Sequence, residues 1–192
     1  MRIITKDQSK NIDKISIDNY KVSQNSLMTS AANAIVFHIE KYITTVNKKP
    51  RILIVCGKGN NGGDSICAAS ILFNKGYDLH VHFLIEKNEI GGPSKIYYKE
   101  YMKLSNQASF GLEFQVFNDF DILIDGIIGI GFRGKLDNSL VKWINWINES
   151  NMYIISVDIP SGLNADNGLA SPIAVKADKT ITFGFSKIGL HI

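Results

Sequence analysis

Three short stretches of this chain set carboxylates and amides among glycines. The first is GKGNNGGDS (57–65), with Asn60, Asn61 and Asp64. The second is DGIIGIGFRGK (125–135), led by Asp125, and the third is DIPSG (158–162), with Asp158 and Ser161. Glycine lets the backbone turn tightly and approach a ligand closely. The first stretch runs straight into a helical pattern, so the free N–H groups of the helix start point into the loop. Gly57, Gly59 and Gly62 satisfy G-x-G-x-x-G, and Glu86 stands near the end of the next strand, where a ribose-binding acid is expected. An ordinary dinucleotide-binding oxidoreductase is therefore one reading. Asp64 argues against it, because a carboxylate on the first turn competes with a pyrophosphate for the same N–H groups. It suits a polar pocket better than a phosphate cradle. The competing reading of Asp64 is a plain helix cap.

The elements that position these loops follow from apolar spacing. Residues 52–56 form an uncharged run before the first loop and read as a strand buried on both faces. Further strands are expected at 79–85, 114–117, 121–125, 152–157 and 180–185. Thr5-Lys6-Asp7-Gln8 reads as a capping box that starts a helix over 6–19. A second helix starts near Gln24, with Leu27, Met28, Ala31, Ala32, Ile35 and Ile39 on one face. Pro93 of Gly91-Gly92-Pro93 marks a helix start, with that helix running to 106. A helix over 139–149 turns Leu140, Trp143, Ile144 and Ile147 inward. Strands alternating with helices predict an α/β fold: a Rossmann-like three-layer αβα sandwich on a mainly parallel central sheet. In such sheets the ligand crevice lies beyond the carboxyl ends of the strands. All three polar loops leave strands there, so they are expected to converge.

Composition bounds the rest. The 192 residues are read as a single domain, 1–192, with 45% apolar and 20% charged residues and a formal net charge of +3. That balance gives no reason to expect nucleic acid. No apolar run reaches membrane-spanning length, and the polar start MRIITKDQSKNIDK lacks a signal-peptide core, so a cytoplasmic protein is expected. Cys56 and Cys67 are read as small apolar filler. His80 and His82 alternate along one strand face without a third metal ligand nearby in sequence and are read as half-buried histidines.

The loops also resemble, in order, those of the YjeF N-terminal domain family, the NAD(P)H-hydrate epimerases. The segments that carry the resemblance are GKGNNGGDS (57–65), IDGIIGIG (124–131), VDIPSGLNADNG (157–168) and ADKTITFGFSKIG (177–189). NNGGD paired with VDIPSGL is far more specific than G-x-G-x-x-G alone. The resemblance implies an isomerase that interconverts the R and S forms of hydrated NADH and NADPH. It implies a substrate pocket of Asn60, Asn61, Gly62, Gly63, Asp64, Gly129, Ile130, Gly131, Phe132, Arg133, Gly134, Lys135 and Asp158. It implies a potassium ion on Asn61, Asp125 and Ser161, whose oxygens are the hard donors such a cation wants. The bland reading is that Asp125 and Ser161 only complete turns. Asp158 is expected as the general acid/base, with Asp64 assisting or orienting the site. Arg133 and Lys135 are expected near a diphosphate, although Lys135 reads as well as solvated surface. The role of Lys187 stays open.

This chain departs from the family pattern at Ser65, where glycine is usual, and at Ile130, where threonine is usual; Lys58 adds a charge to the first loop. The resemblance also implies a homodimer and an ADP- or ATP-dependent dehydratase, either as a separate partner or as a fused domain following this one. The alternative to an enzyme is a non-catalytic scaffold or ligand-binding module of the same domain type.

Overall fold

The apolar runs at 52–56, 122–124 and 154–157 form the centre of the sheet, and the residues with helical spacing cover both faces. The computed structural model describes residues 2–46, 48–86, 89, 94–105, 107–132 and 134–192. In chain order the elements are β1 (Ile3–Ile4), α1 (Lys6–Asp18), α2 (Gln24–Val46), β2 (Arg51–Cys56), α3 (Asn60–Asn74) and β3 (Asp78–Phe83). They continue with α4 (Ser94–Leu104), β4 (Ala108–Phe110), β5 (Ile122–Gly126), α5 (Asn138–Glu149), β6 (Tyr153–Val157), β7 (Lys179–Ile181) and β8 (Ser186–Lys187).

Six strands form one sheet in the order β4-β3-β2-β5-β6-β7, and every pair is parallel. The chain winds outward from β2 in one direction, then crosses to β5 and winds in the other. The strand order therefore reverses between β2 and β5, and crevices form at such a switch point. Alternation along β2 divides the core. Ile52, Ile54 and Cys56 pack with Ile35 and Ile39 of α2 and Leu72 of α3. Leu53 and Val55 pack with Trp143, Ile144 and Ile147 of α5 on the other face. These are the three layers that the spacing implied. No described helix is long and apolar enough to cross a membrane.

The capping box at Thr5 and Gln8 is present in full. The strand expected at 114–117 is not. The edge strand is β4, which pairs Val81 with Ala108 and Phe83 with Phe110. Phe114 and Phe117 instead pack their rings against Trp143 and Trp146. Their apolar spacing reflects a loop laid over α5 rather than a pleated strand. The expected helix start at Pro93 lies outside the described residues. His82 is buried, stacks on Trp143 at 4.7 Å and bonds Ser109 Oγ at 2.8 Å, so burial pushes its pKa down to about 4. Short β1 pairs in parallel with β8, setting Ile4 beside Lys187.

Candidate active site

Asp125 ends the apolar run of β5 and is fully buried. Its Oδ2 accepts from Ser156 Oγ (2.7 Å) and from the Ser161 N–H (2.9 Å). Its Oδ1 accepts from Ser161 Oγ (2.5 Å) and from the Ile127 N–H (3.3 Å). Burial pushes the Asp125 carboxyl upward, and these donors oppose the shift. The Ser161 hydroxyl oxygen also accepts from the Ile128 N–H at 2.9 Å. One carboxylate thus gathers the ends of β5 and β6 and the loop after β6.

Asn61 joins the first loop to this group. Its side-chain amide donates to the Val157 carbonyl at 2.7 Å, one residue before Asp158. Gly129 lies against it, since a Cβ at Gly129 would come within 3.0 Å of Asn61 Oδ1. The oxygens of Asn61, Asp125 and Ser161 are hard donors, and Asp125 makes no ion pair among the described residues. A buried carboxylate surrounded only by neutral donors, next to further oxygens, fits a hard cation.

The start of α3 is packed too tightly for side chains. A Cβ on Gly57 would sit 2.0 Å from the Ile127 carbonyl oxygen, and one on Gly62 would sit 1.9 Å from the Gly57 carbonyl oxygen. Both obstacles are backbone, so glycine is required there. Ser65 is accommodated because its neighbour is also glycine: a Cβ on Gly126 would meet Ser65 Oγ at 2.0 Å. The Ser65 hydroxyl donates back to the Asn61 carbonyl at 2.8 Å.

Asp64 does not cap α3. The N-cap is Gly59, and no side chain bonds the helix start. The Asp64 carboxyl is pushed up to about 8, first by burial, then by the charges of Asp158 and Asp13. A carboxyl raised that far favours its protonated form at neutral pH. Asp13 of α1 is raised in the same direction by burial and by Asp158, with Lys187 opposing.

Asp158 follows β6 with φ of +64°, a left-handed backbone that Asp adopts more readily than most residues with a Cβ. It is 8% exposed, and its Oδ1 accepts from Lys187 Nζ, from Thr182 Oγ1 (3.2 Å) and from the Phe183 N–H (3.4 Å). Sequence reading assigned nothing to Lys187 beyond the resemblance, and missed Asp13, Ser156 and Thr182. Ser156 left a signal, a hydroxyl inside the apolar run of β6. Asp13 left none, because only the fold brings α1 to the end of β6.

Two cavities flank the second loop. One of about 550 Å³ lies at the switch point, between Asn60 and Asn61 on one side and Gly129, Gly131 and Phe132 on the other. The other, of about 420 Å³, lies between Gly129, Ile130, Phe132 and Gly134 and the segment 162–171. Asp64, Asp125, Asp158 and Ser161 line neither cavity; Gly62 is packed against the Gly57 backbone and Gly63 against Met28 and Ser94. Lys135 is exposed, and Arg133 lies outside the described residues.

An all-parallel sheet in this order, with polar loops gathered at the carboxyl ends of β2, β5 and β6, defines a Rossmann-like α/β domain with its crevice at the switch point. The family model for the YjeF-related protein N-terminus matches residues 24–189, and the chain belongs to that family. It is 31% identical over 193 residues to the NAD(P)H-hydrate epimerase of Leuconostoc citreum, covering 99% of this chain and 83% of that protein. It is 30% identical over 191 residues to the enzyme of the same name from Oenococcus oeni, covering 97% and 87%. It is also 32% identical over 199 residues to a bifunctional NAD(P)H-hydrate repair enzyme of Moorella thermoacetica; there the match covers all of this chain but only 38% of that protein. In fold it superposes on a yeast protein of known crystal structure with a TM-score of 0.87 at 18% identity, over 99% of this chain and 83% of that one.

Proposed function

We propose that the chain is an NAD(P)H-hydrate epimerase, an isomerase interconverting the R and S forms of hydrated NADH and NADPH. The relatives of that name support the reaction class. The observation that carries the chemistry is the pairing of two carboxyls in different states: Asp64 holds its proton, while Asp158 is ion-paired with Lys187.

Inverting a hydrated ring carbon requires its hydroxyl to leave and water to return on the opposite face. Asp64 donates its proton to the departing oxygen, which leaves as water, and the lone pair of the ring nitrogen stabilises the flattened cation. Asp158 takes a proton from the returning water as its oxygen bonds the opposite face. One water leaves, one enters, and the proton passes back from Asp158 to Asp64 between turnovers. The second loop, with Lys135 and Arg133, holds the diphosphate, and the cavities beside it hold the nucleotide part of the substrate; the hydrated ring has to reach Asp64 and Asp158 beyond their lining. Potassium on Asn61, Asp125 and Ser161 would offset the buried charge and tie the loops together. The pathway partner is an ADP- or ATP-dependent dehydratase, the working state is a homodimer, and the compartment is the cytoplasm.

The test is epimerisation of purified R-hydrate coupled to an S-specific dehydratase. The parent is expected to be active, and Asp158→Ala to lose about 100-fold or more, the usual contribution of a general base. A folded parent that is inactive with potassium present overturns the proposal in favour of a non-catalytic binding module.

A further inference from the structure

Lys187 is a buried cation that the reaction above does not use as an acid or a base. It is 1% exposed, a rare state for lysine. Its ammonium has three donors, and all three are matched: Asp158 Oδ1, Thr182 Oγ1 at 2.9 Å and the Phe183 carbonyl at 3.1 Å. Thr182 also donates to Asp158 Oδ1, so the three side chains close a ring. The stem of Lys187 is fixed from behind, because β8 pairs with β1, and the N–H of Lys6 just past β1 bonds Asp166 Oδ1 at 2.8 Å.

Asp158 needs such a hold. Its backbone is left-handed and is held by its own N–H on the Ile181 carbonyl at 2.7 Å, which fixes the main chain but not the carboxyl. The Asp158 charge raises the carboxyls of Asp64, from α3, and Asp13, from α1, so neither supplies a positive partner. Lys187 is the cation paired with Asp158 among the described residues.

We propose that Lys187 is the positioning residue for the reaction: braced by Thr182 and by the β1–β8 pair, it fixes the Asp158 carboxylate in the orientation from which it takes the proton. This rests on the epimerase reading. Lys187 acts through Asp158 and touches no substrate.

The experiment is a kinetic double-mutant cycle on the full chain. Lys187→Met is expected to lower kcat by about 100-fold, the scale of a misplaced catalytic group, with KM within about twofold. Lys187→Arg, which keeps the cation but not the compact ammonium, is expected to recover part of the rate. Adding Lys187→Met to Asp158→Ala is expected to cost nothing more, because both changes remove one function. Should Lys187→Met fail to fold, Lys187→Gln, a neutral residue that can still donate to Phe183, carries the same cycle. An active parent in which the two losses multiply, or in which the folded neutral variant keeps its kcat, overturns the assignment of Lys187 alone. An inactive parent overturns the epimerase reading, and the positioning role with it.

Discussion

Asn61 donates its side-chain amide to the Val157 carbonyl at 2.7 Å, fastening the first turn of α3 to the strand end that carries Asp158. Asn61 is 6% exposed and Val157 is fully buried, so neither group has water as an alternative partner. Asn61→Ala removes one of two donors to that carbonyl, which keeps the Ile159 N–H at 2.8 Å, so the loss is that of one hydrogen bond, about 0.5–1.5 kcal/mol. Urea unfolding is expected to show that loss. Asn61→Asp, with an acceptor facing the carbonyl, is expected to be at least as unstable despite its equal size. Equal stability of the Asp variant and the parent would mean that the bond does not join the two loops.

Asp64 makes the protein sensitive to alkali. Its pKa rises from the ordinary 3.8 to about 8 in the fold. Between those values the native state binds more protons than the unfolded chain, so stability falls as pH rises. The contribution of Asp64 is complete below its unfolded pKa and is lost as pH climbs through about 8. Asp64→Asn is expected to flatten that decline in urea melts at pH 6 and pH 9, and to remove most of the epimerase rate. In the parent the rate is expected to fall as pH rises through about 8, where the donor proton is lost.

Much of this arrangement is legible in the sequence. The uncharged run of β2, the Thr5–Gln8 box and the inward face of α5 each follow from local spacing and appear as expected. Phe114 and Phe117 misled because an aromatic pair on a loop has the same local pattern as a strand face, and only the position of Trp143 separates the two. Asp64 was equally legible as a cap, because the sequence does not reveal that Gly59 takes that place. The surroundings of Asp158 were the least legible. Asp13, Thr182 and Lys187 reach it from α1, from beyond β7 and from β8, contacts that no window of sequence contains.

The glycine of β5 and the serine of α3 form a coupled pair. Gly126→Ala would drive its Cβ to 2.0 Å from Ser65 Oγ. Overpacking of this kind typically costs about 1–3 kcal/mol. Ser65→Gly removes the obstacle and leaves the Asn61 carbonyl oxygen at 3.2 Å, a gap that small shifts can relieve. The double variant is therefore expected to regain most of the stability that Gly126→Ala loses, a non-additivity read directly in urea melts. Additive losses would place the strain elsewhere. Gly62→Ala has no such partner, because it meets the Gly57 backbone at 1.9 Å, and is expected not to be rescued by any side-chain change.

Asp125 provides the test for potassium. Its carboxylate is fully buried, bonded only to neutral donors, and raised by burial. A cation bound to the native state alone stabilises it by mass action, by about 2.7 kcal/mol at a hundred times its Kd. The melting temperature is therefore expected to rise when potassium chloride replaces choline chloride at constant ionic strength. The rise should vanish in Asp125→Asn, which keeps the shape of the site but removes its charge. Screening of surface charges would act on both proteins alike, so the difference between the two increments is the quantity to measure. An equal increment in Asp125→Asn would assign the salt effect to the surface and leave Asn61, Asp125 and Ser161 as a hydrogen-bonded junction of the three loops.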